Sequence, residues 1–167
     1  CFLVTLLNEH TGGRSNQLLF VTYHSSFKDP LTYVRFFTHV FGHSGWDHFL
    51  GNMTYILLLG PMLEEKYSSK NILKVFLITA LVTALINYIF FPGVGLCGAS
   101  GIAFAFIVMT SFTGFRSGDI PLTFLLVAAV FIGQQVYEGI TLQDNISHMA
   151  HIVGGIIGAI VGFKWNK

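Results

Sequence analysis

Four residues in this chain join chemical type to spacing in a way that plain packing does not require: Ser100, His151, His48 and Asn52. A serine hydroxyl is a poor nucleophile until a base takes its proton, and histidine is the usual base. Asparagine and histidine carry N–H donors that can hold a carbonyl oxygen as it gains negative charge. Ser100 stands in Gly98-Ala99-Ser100-Gly101, where glycines let a substrate backbone approach closely. Free N–H groups at a helix start, that of Ser100 included, can add a further donor for an oxyanion. His48 and Asn52 are four residues apart, and His148 and His151 three apart, so each pair shares one helix face. No Asp or Glu lies within the apolar segments near this depth; Glu138 and Asp144 belong to a loop. The pattern therefore predicts acyl transfer by a Ser–His dyad rather than by a three-member relay.

Each feature also has a plainer reading. Gly-x-Ser-Gly alone suits a close helix contact, since Gly and Ser are frequent there. An isolated Asn52 makes an inter-helix hydrogen bond worth about 0.6 kcal/mol, whereas an oxyanion donor is worth roughly 3–4 kcal/mol in the transition state. Convergence decides between them. Three separate helices carry these groups at a similar depth below one surface.

Those helices follow from long apolar runs. Val75–Phe91, Gly93–Phe115 and Ile120–Tyr137 are uncharged. Phe49–Leu63 is uncharged too and extends through His48 and Glu64, while Asn145–Phe163 is apolar apart from Asn145, Ser147, His148 and His151. A spanning helix needs about 20 largely apolar residues. These are five full spans, and Cys1–Leu7 reads as the tail of a truncated first one. The expected fold is an all-α polytopic membrane bundle in a single domain. Residues 1–7 are the first-helix remnant, 8–47 an outward interfacial loop, and 48–167 the remaining five helices. Gly154, Gly158 and Gly162 recur every four residues and form a close-packing ridge one turn below His151. If the fourth segment packs on that ridge, His151 approaches Ser100.

Composition agrees. Of 167 residues, 53% are hydrophobic and 10% charged, with a mean hydropathy of +0.65. A soluble domain carries roughly 25% charge, so a water-facing globule, a coiled coil and a disordered chain are excluded. A net charge of +1 provides no basic stripe for nucleic acid. Lys66, Lys70, Lys74, Arg116, Lys164 and Lys167 are six of the nine basic residues and fall on one side, in short connections and the C-terminal tail. The positive-inside rule puts that side in the cytoplasm and the polar cluster near the outer face. Aromatics such as Phe20, Tyr23, Phe27, Tyr33, Phe37 and Trp46 stud the first loop, which suits a bilayer interface.

The remaining candidates are weaker. His39 and His43 could ligate a metal with His48, but no carboxylate or cysteine completes a set, so hydrogen bonds that hold the loop are expected instead. No metal and no cofactor is called for. His10 and His24 read as solvated, Cys97 as an inert apolar packing residue, and Glu64, Glu65 and Lys66 as a cytoplasmic helix end. Phe104 lies one turn beyond Ser100 on the same face, where it can pack as an apolar residue or stack on the His151 ring.

Taken together these residues resemble the rhomboid family of intramembrane serine proteases, from Arg35 to Gly162. Gly98-Ala99-Ser100-Gly101 is similar to the family's G-x-S-G, Ala150-His151-Ile152-Val153-Gly154 to its A-H-x-x-G, and His48-x-x-x-Asn52 to its H-x-x-x-N. The spacing of His39 and His43 and the position of Glu64 fit as well. Two departures are Val34-Arg35, where the family often has Trp-Arg, and Phe104, where a tyrosine is common. The resemblance implies a six-helix core in a multi-pass membrane protein of the bacterial inner membrane. It implies Ser100 as nucleophile, His151 as base, and His48, Asn52 and the Ser100 N–H as oxyanion donors, with Gly98, Gly101 and Phe104 in support. Its partners would be transmembrane protein substrates and the lipid bilayer, with entry between the second and fifth segments. A catalytically inactive relative that binds transmembrane clients is the alternative. A transporter would need polar groups through the full depth, and the inner halves of these spans are nearly all apolar.

Overall fold

A computed structural model describes residues 1–114, 122–127, 129–130, 133, 137 and 148–165. The helices are α1 (Phe2–His10), α2 (Pro30–Thr38), α3 (Trp46–Tyr67), α4 (Ser69–Phe90), α5 (Ser100–Thr110), α6 (Leu122–Val127) and α7 (His148–Trp165). Among the described residues there is no strand, only a single bridge between Thr22 and Leu96. The all-α bundle expected from the apolar runs is what forms.

Local chemistry sets the helix ends. Asp29 caps α2 by accepting a hydrogen bond from the Leu31 N–H at 2.9 Å, and Pro30 occupies the first turn, where its missing N–H costs nothing. Ser68, with φ 74°, turns the chain between α3 and α4, and its N–H donates to the Glu64 carbonyl at 2.8 Å. Lys66 Nζ donates to the Thr113 carbonyl at 2.6 Å, tying the C-terminal end of α3 to the turn after α5.

α5 is the centre of the bundle. Eight of its eleven residues are buried, and it packs on α7 most extensively and on α3 and α4 as well. Leu63, Val75, Ile102, Met109 and Val153 belong to one apolar core shared by these helices. α4 and α7 are long and apolar enough to cross a membrane. α5 is not: eleven residues rise only about 16 Å. The sequence predicts one span over Gly93–Phe115. The helix is shorter because Gly98, at φ 120°, breaks the chain before Ser100, and a turn follows Thr110. The first turn of α7, which carries His151, and the first turn of α5 therefore meet inside the bundle.

The long first loop is ordered. Arg35 is buried; its Nε donates to the Leu18 carbonyl at 2.8 Å, its guanidinium pairs with Asp29 at 3.2 Å, and it lies over the Tyr23 ring. Thr22 and Leu96 exchange backbone hydrogen bonds of 2.9 and 2.8 Å, and the Gly98 N–H donates to the His39 carbonyl at 2.9 Å. These bonds moor the loop to the segment that leads into Ser100. His24, expected in solvent, is exposed; its tilted ring also lies 4.6 Å from that of Tyr88 and bonds the Tyr88 carbonyl at 3.1 Å, because α4 extends far enough to meet the loop. The proposed fifth segment lies outside the described residues except at 122–127, 129–130, 133 and 137, as do Glu138, Asp144 and the first residues of the sixth segment.

Candidate active site

Ser100 is the first residue of α5 and half-buried, and His151 lies in the first turn of α7 and is buried. The two helices touch backbone to backbone beside them. A Cβ on Gly154 would fall on the Gly101 carbonyl oxygen, one on Gly158 on the Ala105 carbonyl oxygen, and one on Gly162 within 2.6 Å of the Phe112 ring. The glycine ridge read from the sequence thus faces α5 along its whole length. A Cβ on Gly101 would in turn sit 3.2 Å from the Ala150 carbonyl. Ser100 and His151 are the neighbours of these two contact residues.

The Phe104 and His151 rings stack at 4.4 Å with their planes 5° apart. Of the two roles open to Phe104, stacking is the one it adopts. An imidazole stacked face to face has its rotation restricted. The His148 ring stands perpendicular to His151, 6.2 Å between centroids.

The other wall comes from α3. A Cβ on Gly98 would lie 2.7 Å from His48 Nε2 and 3.5 Å from Asn52 Nδ2. Only glycine fits there, both for that space and for its φ of 120°. Both side chains therefore face the backbone two residues before Ser100. Asn52 is 7% exposed, and its Nδ2 is buried with no hydrogen-bond partner. Such a donor costs about 1–3 kcal/mol in a resting protein.

Two further residues adjoin His48: Ser44, which the sequence reading did not single out, and His43, which it placed beside His48. Ser44 Oγ lies 3.1 Å from His48 Nδ1, and the His43 ring meets His48 edge-on at 5.1 Å. A serine four residues before a histidine was a visible signal for the first. In the tautomer in which the hydroxyl donates into Nδ1, the ring proton is on Nε2, the nitrogen that faces Gly98. His39 and His43 hold the loop through Nδ1, bonding the Arg35 and Phe41 carbonyls at 3.2 Å each. Burial pushes both imidazoles down from 6.5 to about 4, with His48 adding to the effect at His43.

A half-buried serine and a buried histidine on a glycine-sealed helix pair, with amide and imidazole groups opposite, define an all-helical membrane bundle with a candidate serine–histidine site. Residues 30–166 match the rhomboid domain, and the chain belongs to the rhomboid family, whose members are integral membrane proteins. It is similar to Rhomboid-related protein 2 of Mus musculus, 30% identical over 157 residues, covering 81% of this chain and 52% of that protein. Rhomboid-related protein 1 of Caenorhabditis elegans is 28% identical over 77% of this chain and 39% of its own length. Rhomboid protease GlpG of Haemophilus influenzae is 23% identical over 100% of this chain and 87% of its own. The chain spans about half or less of the length of the two rhomboid-related proteins. At the level of the family, the likeness is to proteases that act on membrane proteins.

Proposed function

We propose that the chain is an intramembrane serine endopeptidase that cleaves transmembrane segments of membrane-anchored proteins. His151 takes the Ser100 proton as Oγ attacks the scissile carbonyl carbon. The Ser100 N–H, Asn52 Nδ2 and His48 Nε2 donate hydrogen bonds to the oxyanion. His151 returns the proton to the leaving amine, and the acyl-enzyme forms. A water then attacks the ester with His151 again as base, and Ser100 recovers its proton as the acid product leaves.

The observation that carries this reading is the buried, unpaired Asn52 amide facing Gly98, two residues before a serine whose helix is sealed to the helix of His151. A scissile bond must be extended, since a helix turns its carbonyls into its own hydrogen bonds. Substrates with helix-weakening Gly or Pro are therefore preferred. The basic residues Lys66, Lys70 and Lys74 stand at the inner end of α3 and the start of α4, away from Ser100, which favours a site open to the outer side of a bacterial inner membrane. Lateral entry between α3 and the fifth segment belongs to the same proposal.

Ser100→Ala and His151→Ala are the direct test. Each is expected to lower cleavage of a membrane-anchored reporter by more than about a thousandfold while the protein accumulates normally. Activity retained in either defeats the dyad. A fluorophosphonate probe should label Ser100 and fail on His151→Ala; an unlabelled wild type would favour the client-binding alternative.

A further inference from the structure

On α1, the segment that follows it and the His43 loop, four buried polar atoms lack partners: Thr5 Oγ1, Ser15 Oγ, Asn16 Oδ1 and His43 Nε2. His43 is 0% exposed, Thr5 3% and Asn16 6%. They lie on segments already joined. Asn16 Nδ2 donates to the His43 carbonyl at 2.9 Å, and the Asn16 N–H donates to Asn8 Oδ1 at 3.3 Å. Thr5 lies on α1 between Cys1, whose sulfur approaches the Val40 carbonyl at 3.9 Å, and Asn8. Cys1, Thr5 and Asn8 share one helix face, so the Thr5 hydroxyl is aimed between residue 40 and Asn16, the two sides of the His43 segment.

The hydrogen-bonding types are complementary. His43 Nδ1 faces a carbonyl and must carry the ring proton, so in the neutral ring Nε2 is a bare acceptor. Asn16 uses its NH2 on His43, which leaves Oδ1 as a second acceptor. Thr5 and Ser15 offer hydroxyls. One water has two donors for the two acceptors and two lone pairs for the two hydroxyls. A buried water usually makes about three hydrogen bonds to groups of this kind.

We propose that α1, the helical turn at Asn16–Phe20 and His43 enclose a site for an ordered water, and that through it α1 positions His43 against His48. The second half rests on the oxyanion role given to His48 above. The water fixes the His43 ring, whose edge meets His48 at 5.1 Å, and so fixes the imidazole that faces Gly98. Thr5, Asn16 and His43 are positioning residues, since none of them faces Gly98.

A high-resolution crystal structure of the full chain should show solvent density at hydrogen-bond distance, about 2.6–3.2 Å, from both His43 Nε2 and Asn16 Oδ1. Its absence overturns the site, whatever the enzyme does. For the coupling, kcat and KM on a membrane reporter are compared between Thr5→Val and Thr5→Ser. Thr5→Val should lower kcat about tenfold at unchanged KM, less than outright loss of an oxyanion donor, and Thr5→Ser should restore it. Unchanged kcat in Thr5→Val, loss confined to KM, or equal loss in both variants overturns the coupling. Activity retained in Ser100→Ala would remove the dyad and leave the density test standing.

Discussion

The two walls of the site are built on different principles. The α5–α7 wall is closed by backbone against backbone, with Gly101 against Gly154 and Ala105 against Gly158 leaving no room for a side chain. The α3 wall is closed by side chains, His48 and Asn52, leaning on the bare backbone of Gly98. Backbone contact fixes the separation of Ser100 and His151 without adjustable parts. Side-chain donors can follow a charge that moves as the reaction proceeds. On the proposed mechanism the reacting atoms lie on the rigid wall, where misplacement by about 1 Å can cost a hundredfold in rate. Donors tolerate the compliant one.

Four changes break or sharpen this contrast. Gly154→Leu pushes a side chain into the Gly101 carbonyl, a clash that only helix separation relieves. Overpacking of this kind costs about 3 kcal/mol or more, and a denaturant titration should show a protein that unfolds early or fails to accumulate. A wild-type midpoint would mean that the seam has slack. Asn52→Ala should leave that midpoint nearly unchanged and lower kcat by about 10²–10³, the loss of one oxyanion donor. If stability drops as far as activity, the two walls are not distinct.

The third change is pH, which acts on the loop behind the α3 wall. His39 and His43 are held neutral, down from 6.5 to about 4. The unfolded chain therefore binds their protons first as pH falls. Their contribution is fully present above about 6.5 and is lost progressively toward about 4. Unfolding followed between pH 7 and 4 should show stability falling through that window, and less steeply in His39→Gln. An equal slope in that variant would assign the acid loss elsewhere. Smallest is Phe104→Leu, which removes one face of the His151 stack, worth about 1 kcal/mol. Activity should fall about fivefold with KM unchanged; a full-scale loss would make Phe104 part of the chemistry.

Much of the site was legible because a polar residue in an apolar run is costly and therefore informative. His48, Asn52, Ser100 and His151 stood out on that ground, and the glycine ridge of α7 stood out by its period of four. The length of α5 was not legible. Gly93–Phe115 reads as one uninterrupted span, and hydropathy carries no record of a φ of 120° at Gly98. The loop-holding role of His39 and His43 was legible, but the remote partners of the loop histidines were not. His39 meeting Thr83, and His24 bonding the Tyr88 carbonyl, depend on residues 44 and 64 positions away.

By itself the chain's order of residues determined an all-helical membrane bundle, the family, and the four polar groups on three helix ends, since local hydropathy and periodicity are one-dimensional quantities. Tertiary structure alone decided that Gly98 is the surface His48 and Asn52 lean on, that Phe104 stacks on His151, and that α5 begins inside the bundle. Those are distances between segments remote in the chain. They are set by which backbones can approach closely, and no run of residues encodes that separately from its neighbours.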